Sequence, residues 1–589
     1  MATLKSRYAA RAALLMLAPL IMFWAGCATL PPTTPTGEYV LRIAHVNDVH
    51  AHLDPVNTTV YFDKTKTYLD LGGMPRLAQK VETLRGDGGP DLLLLHAGDA
   101  FQGTLYFTKF KGQADLEFMN LLAFDAMTTG NHEFDKGPAV LADFIRRADF
   151  PVVSANVDAS ADPNLSGLIE PYVIKTLGRE KVGILGLTTA QTAVASQPGD
   201  LVAFQDPAAS AAKTVAALEA QGVDKIIALT HLGYPEDLKL AAAVPGIDVI
   251  IGGHSHTLLG DFTALGLNPA GPYPTEVTGP QGQKVCVGQA WEWAKALGLM
   301  TVSFDGQGRV VSCSGQATLL AADNFKQKDA DGKKQEVGPE TRDRILELMA
   351  GNPEIEYVTE NHDFASRLAV YQAQLDSLTH QVVAKVGQDL LHIRRPGRHS
   401  SGQDLPHGSQ IAPHVSQSMY YKANLVGLDV DLALVNGGGV RQDLLAGDLT
   451  VGDIYTLLPF ENTVIVLTMT GDQIKRGLEY GVGPEEGAFP YPAGLRYTCD
   501  QTRASGDRIT RMEVQGPDGA WTPVDPRASY RVAVSSFVAG GGDGNAVFME
   551  PTERYDTGFV DAEVFSDYAA AQGILSRPTV YLIDYRPAP

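Results

Sequence analysis

Short apolar runs at residues 40–46, 91–95, 182–187, 225–229 and 249–251 alternate with longer stretches of helical period. That alternation, from residue 39 to about 322, predicts an α/β unit. Residues 275–315 read as strands with turns at 279–283 and 305–308. The stretch 323–338, dense in Lys, Gln, Asp and Gly, reads as a surface insertion. Phe364, Leu368, Tyr371, Leu375, Leu378 and Val382 then step by four and three, which sets them on one face of an amphipathic helix, with Gly387 beyond it as a stop. A lone helix between two α/β regions reads as a connector. From about residue 385 to 589 the alternation resumes over a length sufficient for a second domain, and no internal repeat links the halves. The expected divisions are 38–340, an insertion and connecting helix at 341–384, and 385–589.

The chemistry lies where these runs end. The run 40–46 leads into Asn47-Asp48-Val49-His50, and 91–95 into His96-Ala97-Gly98-Asp99. A segment at 124–129 leads into Gly130-Asn131-His132-Glu133-Phe134-Asp135. The run 225–229 ends in Thr230-His231, and 249–251 in Gly252-Gly253-His254-Ser255-His256. Five predicted strands therefore deliver Asp, His and Asn at their carboxyl ends, where open α/β sheets place ligands. Nitrogen and oxygen donors without thiolate suit Zn, Mn or a similar divalent ion. Asp48, His50, Asp99, Asn131, His231, His254 and His256 are too many for one tetrahedral centre, so two ions are expected, with Asp99 as the shared ligand. A lone Asp or His at a strand end is more often a cap or a satisfied polar group, and it is the joint pattern that carries the reading. His45, His52 and His96 are expected to be core or supporting histidines.

The ordered series DxH, GD, GNHxxD, a lone His and GHxH resembles the calcineurin-like metallophosphoesterases over residues 40 to 260. The resemblance implies a four-layer α/β/β/α sandwich, a two-ion clamp that activates water for in-line displacement at phosphorus, and a catalytic dyad of His132 with Asp135. In the C-terminal half, Asn436-Gly437-Gly438-Gly439-Val440-Arg441, Pro459-Phe460-Glu461-Asn462 and Phe537-Val538-Ala539-Gly540-Gly541-Gly542-Asp543 resemble the bacterial periplasmic 5′-nucleotidase/UDP-sugar hydrolase family and its animal relatives. That likeness extends over nearly the whole chain, including Asp556-Thr557-Gly558-Phe559-Val560-Asp561.

Carried over, Phe460 and Phe537 would sandwich a nucleobase, and Asn462 and Asp543 would contact base and ribose. Arg441 would reach phosphate, and Asn436 and Gly439 would line the same loop. Arg394 and Arg398 have the spacing of a family arginine pair, although 400–410 is longer than the family pattern and resembles its NAD-nucleotidase branch. The expected activity is removal of the 5′-phosphate from nucleotides. Hydrolysis of a pyrophosphate in NAD or nucleotide sugars, or of 2′,3′-cyclic nucleotides, is the alternative on the same site. A dead nucleotide-binding surface protein is disfavoured because no expected ligand is missing.

Charge and targeting sharpen this. The chain has 47 Lys+Arg against 68 Asp+Glu, a net −21, which argues against a nucleic-acid polymer as partner. Lys5, Arg7 and Arg11 precede an apolar stretch at 12–23 that ends in Ala25-Gly26-Cys27, like a bacterial lipobox, followed by a Pro/Thr tether to residue 37. Cleavage before Cys27 would remove three basic residues and give 44 − 68 = −24. The expectation is a lipid anchor at Cys27 in the periplasm or outer membrane, with plain secretion to the cell envelope as the alternative because Trp24 replaces an aliphatic residue. Cys286, Cys313 and Cys499 remain; a Cys286–Cys313 bridge and free core thiols are both compatible with the sequence.

Overall fold

The computed structural model describes residues 39–587 apart from 330, 331, 461 and 485. The leader, the tether and Cys27 lie outside the described residues. No helix among the described residues is long and apolar enough to cross a membrane.

The N-terminal unit is built on two mixed sheets packed face to face. One runs from the edge hairpin Lys326–Lys328/Lys334–Glu336 through Thr65–Leu71, Val310–Ala321, Ala296–Phe304, Tyr39–Val46, Leu92–His96 and Ala126–Thr128 to Val152–Val153. Tyr39–Val46, Leu92–His96 and Ala126–Thr128 are parallel neighbours. The second sheet orders Thr275–Thr278, Lys284–Gly288, Val249–Ile251, Ile226–His231, Glu180–Thr188 and Tyr172–Leu177. Ile43, Leu93, Leu95, Ile184, Ile227, Leu229 and Ile251 are fully buried between the sheets. Leu94, Leu77, Phe118 and Phe144 pack helices on the outer face of the first sheet, and Leu185, Ala228, Leu218 and Leu240 do so on the second. The four layers are helix, sheet, sheet, helix. The parallel strands are buried on both faces, which is why they read as unbroken apolar runs. A Cys286–Cys313 disulfide ties a strand of one sheet to a strand of the other, and Cys499 is a buried free thiol.

The segment 323–338 is less of an insertion than its polarity implies, because its hairpin extends the first sheet beside Thr65–Leu71. The connecting helix spans His362–Thr379, capped by Asn361, whose side chain accepts from the main chain of Asp363 and Phe364. Its Leu368 is buried, and Phe364, Tyr371 and Leu375 pack on the N-terminal core. Val382 does not belong to this helix; it opens the strand Val382–Val386, where β-branched residues pair with Gly447–Thr450.

The C-terminal unit contains a five-stranded sheet in the order Pro490–Ala493, Leu432–Asn436, Ser529–Ser535, Thr463–Thr470, Arg554–Val560, with a smaller four-stranded sheet beside it. The main chain of Lys385 and Gly387 donates to Gly573 and Leu575, at 3.0 and 2.8 Å, so both residues are fixed within this unit.

Candidate dinuclear metal site

The carboxyl ends of the parallel strands in both sheets meet at one point. Asp48 and His50 follow Tyr39–Val46, Asp99 follows Leu92–His96, and Asn131 follows Ala126–Thr128. His231 ends Ile226–His231, and His254 and His256 follow Val249–Ile251. Asp48, His50, Asp99, His254 and His256 all take a left-handed backbone, with φ of 50°, 50°, 55°, 77° and 49°. Non-glycine residues rarely hold that conformation unless the surroundings impose it. The glycines between them leave no room for a side chain: a Cβ on Gly130 would lie 2.1 Å from Asp99 Oδ1, and one on Gly98 2.7 Å from His231 Nδ1.

Donor atoms form two groups, Asp48/His50/His256 and Asp99/His231/His254. His50 Nδ1 lies 3.0 Å from Phe101 O and His256 Nδ1 lies 2.7 Å from Glu292 Oε2, so each carries its proton on Nδ1. Their Nε2 atoms then face one another at 3.2 Å, an arrangement that a cation between them, or a proton on one of them, satisfies. His231 is alike: Nδ1 is 2.8 Å from Ala97 O, while Nε2 sits 2.9 Å from Asp99 Oδ2 without forming a hydrogen bond. Asn131 is buried with both side-chain polar atoms unpartnered. Orphaned buried donors on a converging ligand set are what an absent ion would satisfy. The residues therefore fit two divalent ions. Asp99 also lies between the groups, with Oδ2 3.8 Å from His50 Nε2, and its Oδ1 accepts the main-chain N–H of His132 at 3.0 Å.

His132 Nδ1 is 2.6 Å from Asp135 Oδ2, and Asp135 Oδ1 accepts from Ser196 Oγ at 2.6 Å. Burial alone lowers the imidazole pKa, but the carboxylates of Asp135 and Asp99 outweigh it and raise His132 to about 10. The neighbouring His45, His52 and His96 are supporting groups. His45 Nε2 is 2.7 Å from Tyr273 Oη, His52 stacks on Trp293 at 4.4 Å, and His96 packs edge-on to Phe124.

Sequence reasoning passed over three parts of the site. Glu133, inside the GNHEFD string, accepts from the main chain of Asp99, Ala100, Phe101 and Gly130 at 2.9, 2.8, 3.1 and 2.6 Å, which ties two ligand loops together. Burial and the Asp99 charge raise its pKa to about 7. Glu292 backs His256 from a loop that carries no motif. Gly558, in the C-terminal strand Arg554–Val560, approaches His132 so closely that a Cβ there would stand 1.7 Å from Nε2. Phe559 follows at 6.2 Å ring to ring, and Thr108 donates to Glu563 at 2.7 Å across the same seam.

A cavity of about 1290 Å³ joins the units, and His254, His256, Asn462, Phe537 and Asp556 all line it. Phe537 is 44 % exposed, as an aromatic platform must be. Asn462 Nδ2 donates to Asp561 at 3.3 Å. Phe460 lines a neighbouring cavity of about 810 Å³ with Trp291 and Trp293, so the two phenylalanines face different cavities in this arrangement. Arg441 lies over the Phe460 ring at 5.4 Å and donates to Gly438 O at 3.1 Å. Asn436 donates to Asp543 Oδ2 at 3.0 Å, and Gly439 packs against Asn436. Arg394 and Arg398 line a separate open cavity with His392 and His399, and Arg398 is exposed, 3.7 Å from Asp404. The structure does not bring that pair to the metal groups.

Residues 41–258 match the calcineurin-like phosphoesterase family, and 391–550 match the 5′-nucleotidase C-terminal domain. The chain belongs to the 5′-nucleotidase family of metallophosphoesterases. It is 36 % identical over 530 residues to a probable 5′-nucleotidase of Treponema pallidum, covering 88 % of this chain and 89 % of that one. The structure of Haemophilus influenzae NAD nucleotidase superposes with a TM-score of 0.81 at 32 % identity, covering 93 % and 99 % of the two chains. A 5′-nucleotidase precursor from Thermus thermophilus is 41 % identical over 94 % and 100 %, yet its TM-score is 0.56. Members of this family are hydrolases that use two divalent ions, and the two donor groups described above are the candidate places for them in this chain.

Proposed function

We propose that the protein is a cell-envelope 5′-nucleotidase, tethered through Cys27, that removes phosphate from nucleotides for salvage. The observation that carries the reading is the single cavity lined both by ligand histidines, His254 and His256, and by an exposed aromatic platform, Phe537. Two divalent ions held by Asp48, His50, Asp99, Asn131, His231, His254 and His256 would supply Lewis acidity and an activated water. Around them the chain orients the substrate and manages the proton. Phe537 and Phe460 stack the base, while Asn462 and Asp543 contact base and ribose. Arg441, with Asn436 and Gly439 on its loop, and the pair Arg394 and Arg398 meet the phosphate once the units turn. His132, charged and aligned by Asp135, faces the transferring phosphoryl group and supports the departing oxygen.

The turn itself has support. A more identical relative superposes less well over the same coverage, as two chains with like domains and different hinge angles do. We place the pivot at 379–381, where the connecting helix His362–Thr379 gives way to the strand Val382–Val386, upstream of the Lys385 and Gly387 hydrogen bonds to Gly573 and Leu575. Superposition with the NAD nucleotidase favours a second reading, cleavage of a dinucleotide pyrophosphate at the same centre. Phosphate release should be measured on AMP, ATP, NAD, UDP-glucose and 2′,3′-cyclic AMP, with and without chelator. Chelator-sensitive release from AMP above the others is expected. Faster turnover of NAD would select the second reading, and no turnover of any would sink both. For the tether, labelling with a radioactive fatty acid should mark the wild type and spare Cys27→Ala.

A further inference from the structure

Between the strands Lys284–Gly288 and Ala296–Phe304 the chain passes beside the metal groups in an unusual conformation. Trp291, Trp293 and Ala294 have φ of 63°, 57° and 52°, the left-handed region that bulky residues avoid unless held there. The holding contacts are specific. Trp293 N–H donates to Asp48 O at 2.7 Å, Asn47 Nδ2 donates to Trp291 O at 2.6 Å, and Trp291 N–H donates to Thr257 O at 3.1 Å. The Lys295 ammonium lies 3.5 Å from the centre of the Trp291 ring and 4.5 Å from that of Trp293, whose indole also stacks on His52. Lys295 is buried, and its Nζ is 2.5 Å from Glu292 Oε1. The other oxygen of Glu292 is the one that accepts from His256 Nδ1.

The four histidines of the two donor groups are not braced alike. His50 and His231 lean on the main-chain carbonyls of Phe101 and Ala97. Among the described residues the His254 ring has no hydrogen-bonded carboxylate, although its main-chain N–H donates to Asp48 at 3.0 Å. Of the four, among the described residues, His256 alone has a carboxylate on Nδ1, the nitrogen turned away from its donor group, and that carboxylate is itself clamped by a buried ammonium between two indoles. A carboxylate behind a ligating imidazole fixes its tautomer and ring angle and strengthens it as a donor. Lys295 balances the charge that Glu292 adds to a buried centre and stops the carboxylate from turning towards an ion itself.

We propose that Glu292, clamped by Lys295, is a positioning residue that makes the two metal positions unequal, tightening the one formed by Asp48, His50 and His256. The proposal rests on the two-ion reading of the site and adds an order of affinity to it. The strained Trp291–Trp293 loop then has a purpose: it brings to His256 a carboxylate in place of the main-chain carbonyls that brace His50 and His231.

The test reads metal content, with Zn²⁺ as probe and no substrate present. Folded wild-type protein, loaded and then dialysed against a weak competing chelator, should keep its ions in two distinguishable steps. Glu292→Ala and the isosteric Glu292→Gln should weaken one step by about 10–100-fold and leave the other unchanged. Glu292→Ala added to His256→Ala should change nothing further, whereas added to His231→Ala it should release the remaining ion. Glu292→Gln keeps the loop's packing should the alanine variant fold poorly. Wild-type affinity at both steps in both variants, or equal weakening of both, would overturn the proposal. A wild type that holds two ions but releases no phosphate would count against the proposed activity alone.

Discussion

Replacing Gly558 with alanine tests what the contact between the units does. Its added Cβ would stand 1.7 Å from His132 Nε2, where an ordinary non-bonded approach is about 3.5 Å, so the strand must retreat by about 2 Å. The residue also has φ of 63°, and a side chain there adds roughly 1–2 kcal/mol. That cost falls on both arrangements and cancels; the clash falls on the seated one alone and, at about 2 kcal/mol, lowers its population by a factor of about 30. While Gly558 is seated, its backbone lies against His132 Nε2, and we take this arrangement as a resting one. The variant should then raise kcat/KM towards AMP, by up to that factor if the resting arrangement dominates. Spin labels on cysteines placed at the exposed Lys213 and Asp518 would report the inter-unit distance, which should shift to a second population. Gly573→Ala is the control: φ is 69° with nothing within 4 Å, so it carries the conformational cost without the clash. An unchanged distance distribution, or a fall in kcat/KM with metal retained, would refute the reasoning, the latter by showing that the seated arrangement is the productive one.

Four further outcomes are expected. Asp99→Ala should abolish activity and reduce bound metal by elemental analysis, since its carboxylate lies between both donor groups. His132→Asn should keep its metal and lose about 10²–10⁴ in kcat, the range for a positioned proton donor or electrostatic group; loss of metal would make His132 a ligand instead. Asp135→Asn removes a carboxylate that raises His132 to about 10, so the protonated imidazole is lost at lower pH and the alkaline limb of kcat should move down. An unmoved limb would detach it from His132. Phe460→Ala with Phe537→Ala should raise KM for nucleotides by about 1–3 kcal/mol per stacked face and spare an aryl phosphate, whereas equal losses on both would make the pair structural.

The candidate metal ligands were legible in the sequence for a physical reason. A parallel strand buried on both faces is an unbroken apolar run, so the first polar residues after it stand out, and the candidate ligands are those residues. Val249–Ile251 has the bounds its apolar run predicts, and the run 40–46 gains only Tyr39. The connecting helix was legible over its buried stripe but not at its end. Val382 continues the four-three spacing, and the turn to a strand depends on hydrogen bonds to Gly447–Thr450, sixty-odd residues away. Cys286 and Cys313 needed the packing of two sheets to settle their pairing.

What stayed illegible acts on a ligand from somewhere else in the chain. Glu133 is an ordinary acidic residue in sequence; only the fold aims it at four main-chain N–H groups on two loops. Glu292 and Lys295 look like an i, i+3 surface pair, and burial between two tryptophans gives them another meaning. Gly558 sits in a strand more than 400 residues beyond His132, and no local pattern marks a glycine whose hydrogen faces an imidazole. The ligands are local to strand ends and recur as motifs, whereas the groups that orient them, and the backbone that covers them, are set by tertiary contact. Substrate choice falls in the second class. Phe460 and Phe537 were both readable as aromatic platforms, but which cavity each one serves follows from the angle between the units. The preference between a monoester and a dinucleotide is therefore expected to change with substitutions at 379–381 or Gly558, and to resist substitutions among the metal ligands, which alter rate for every phosphoester alike.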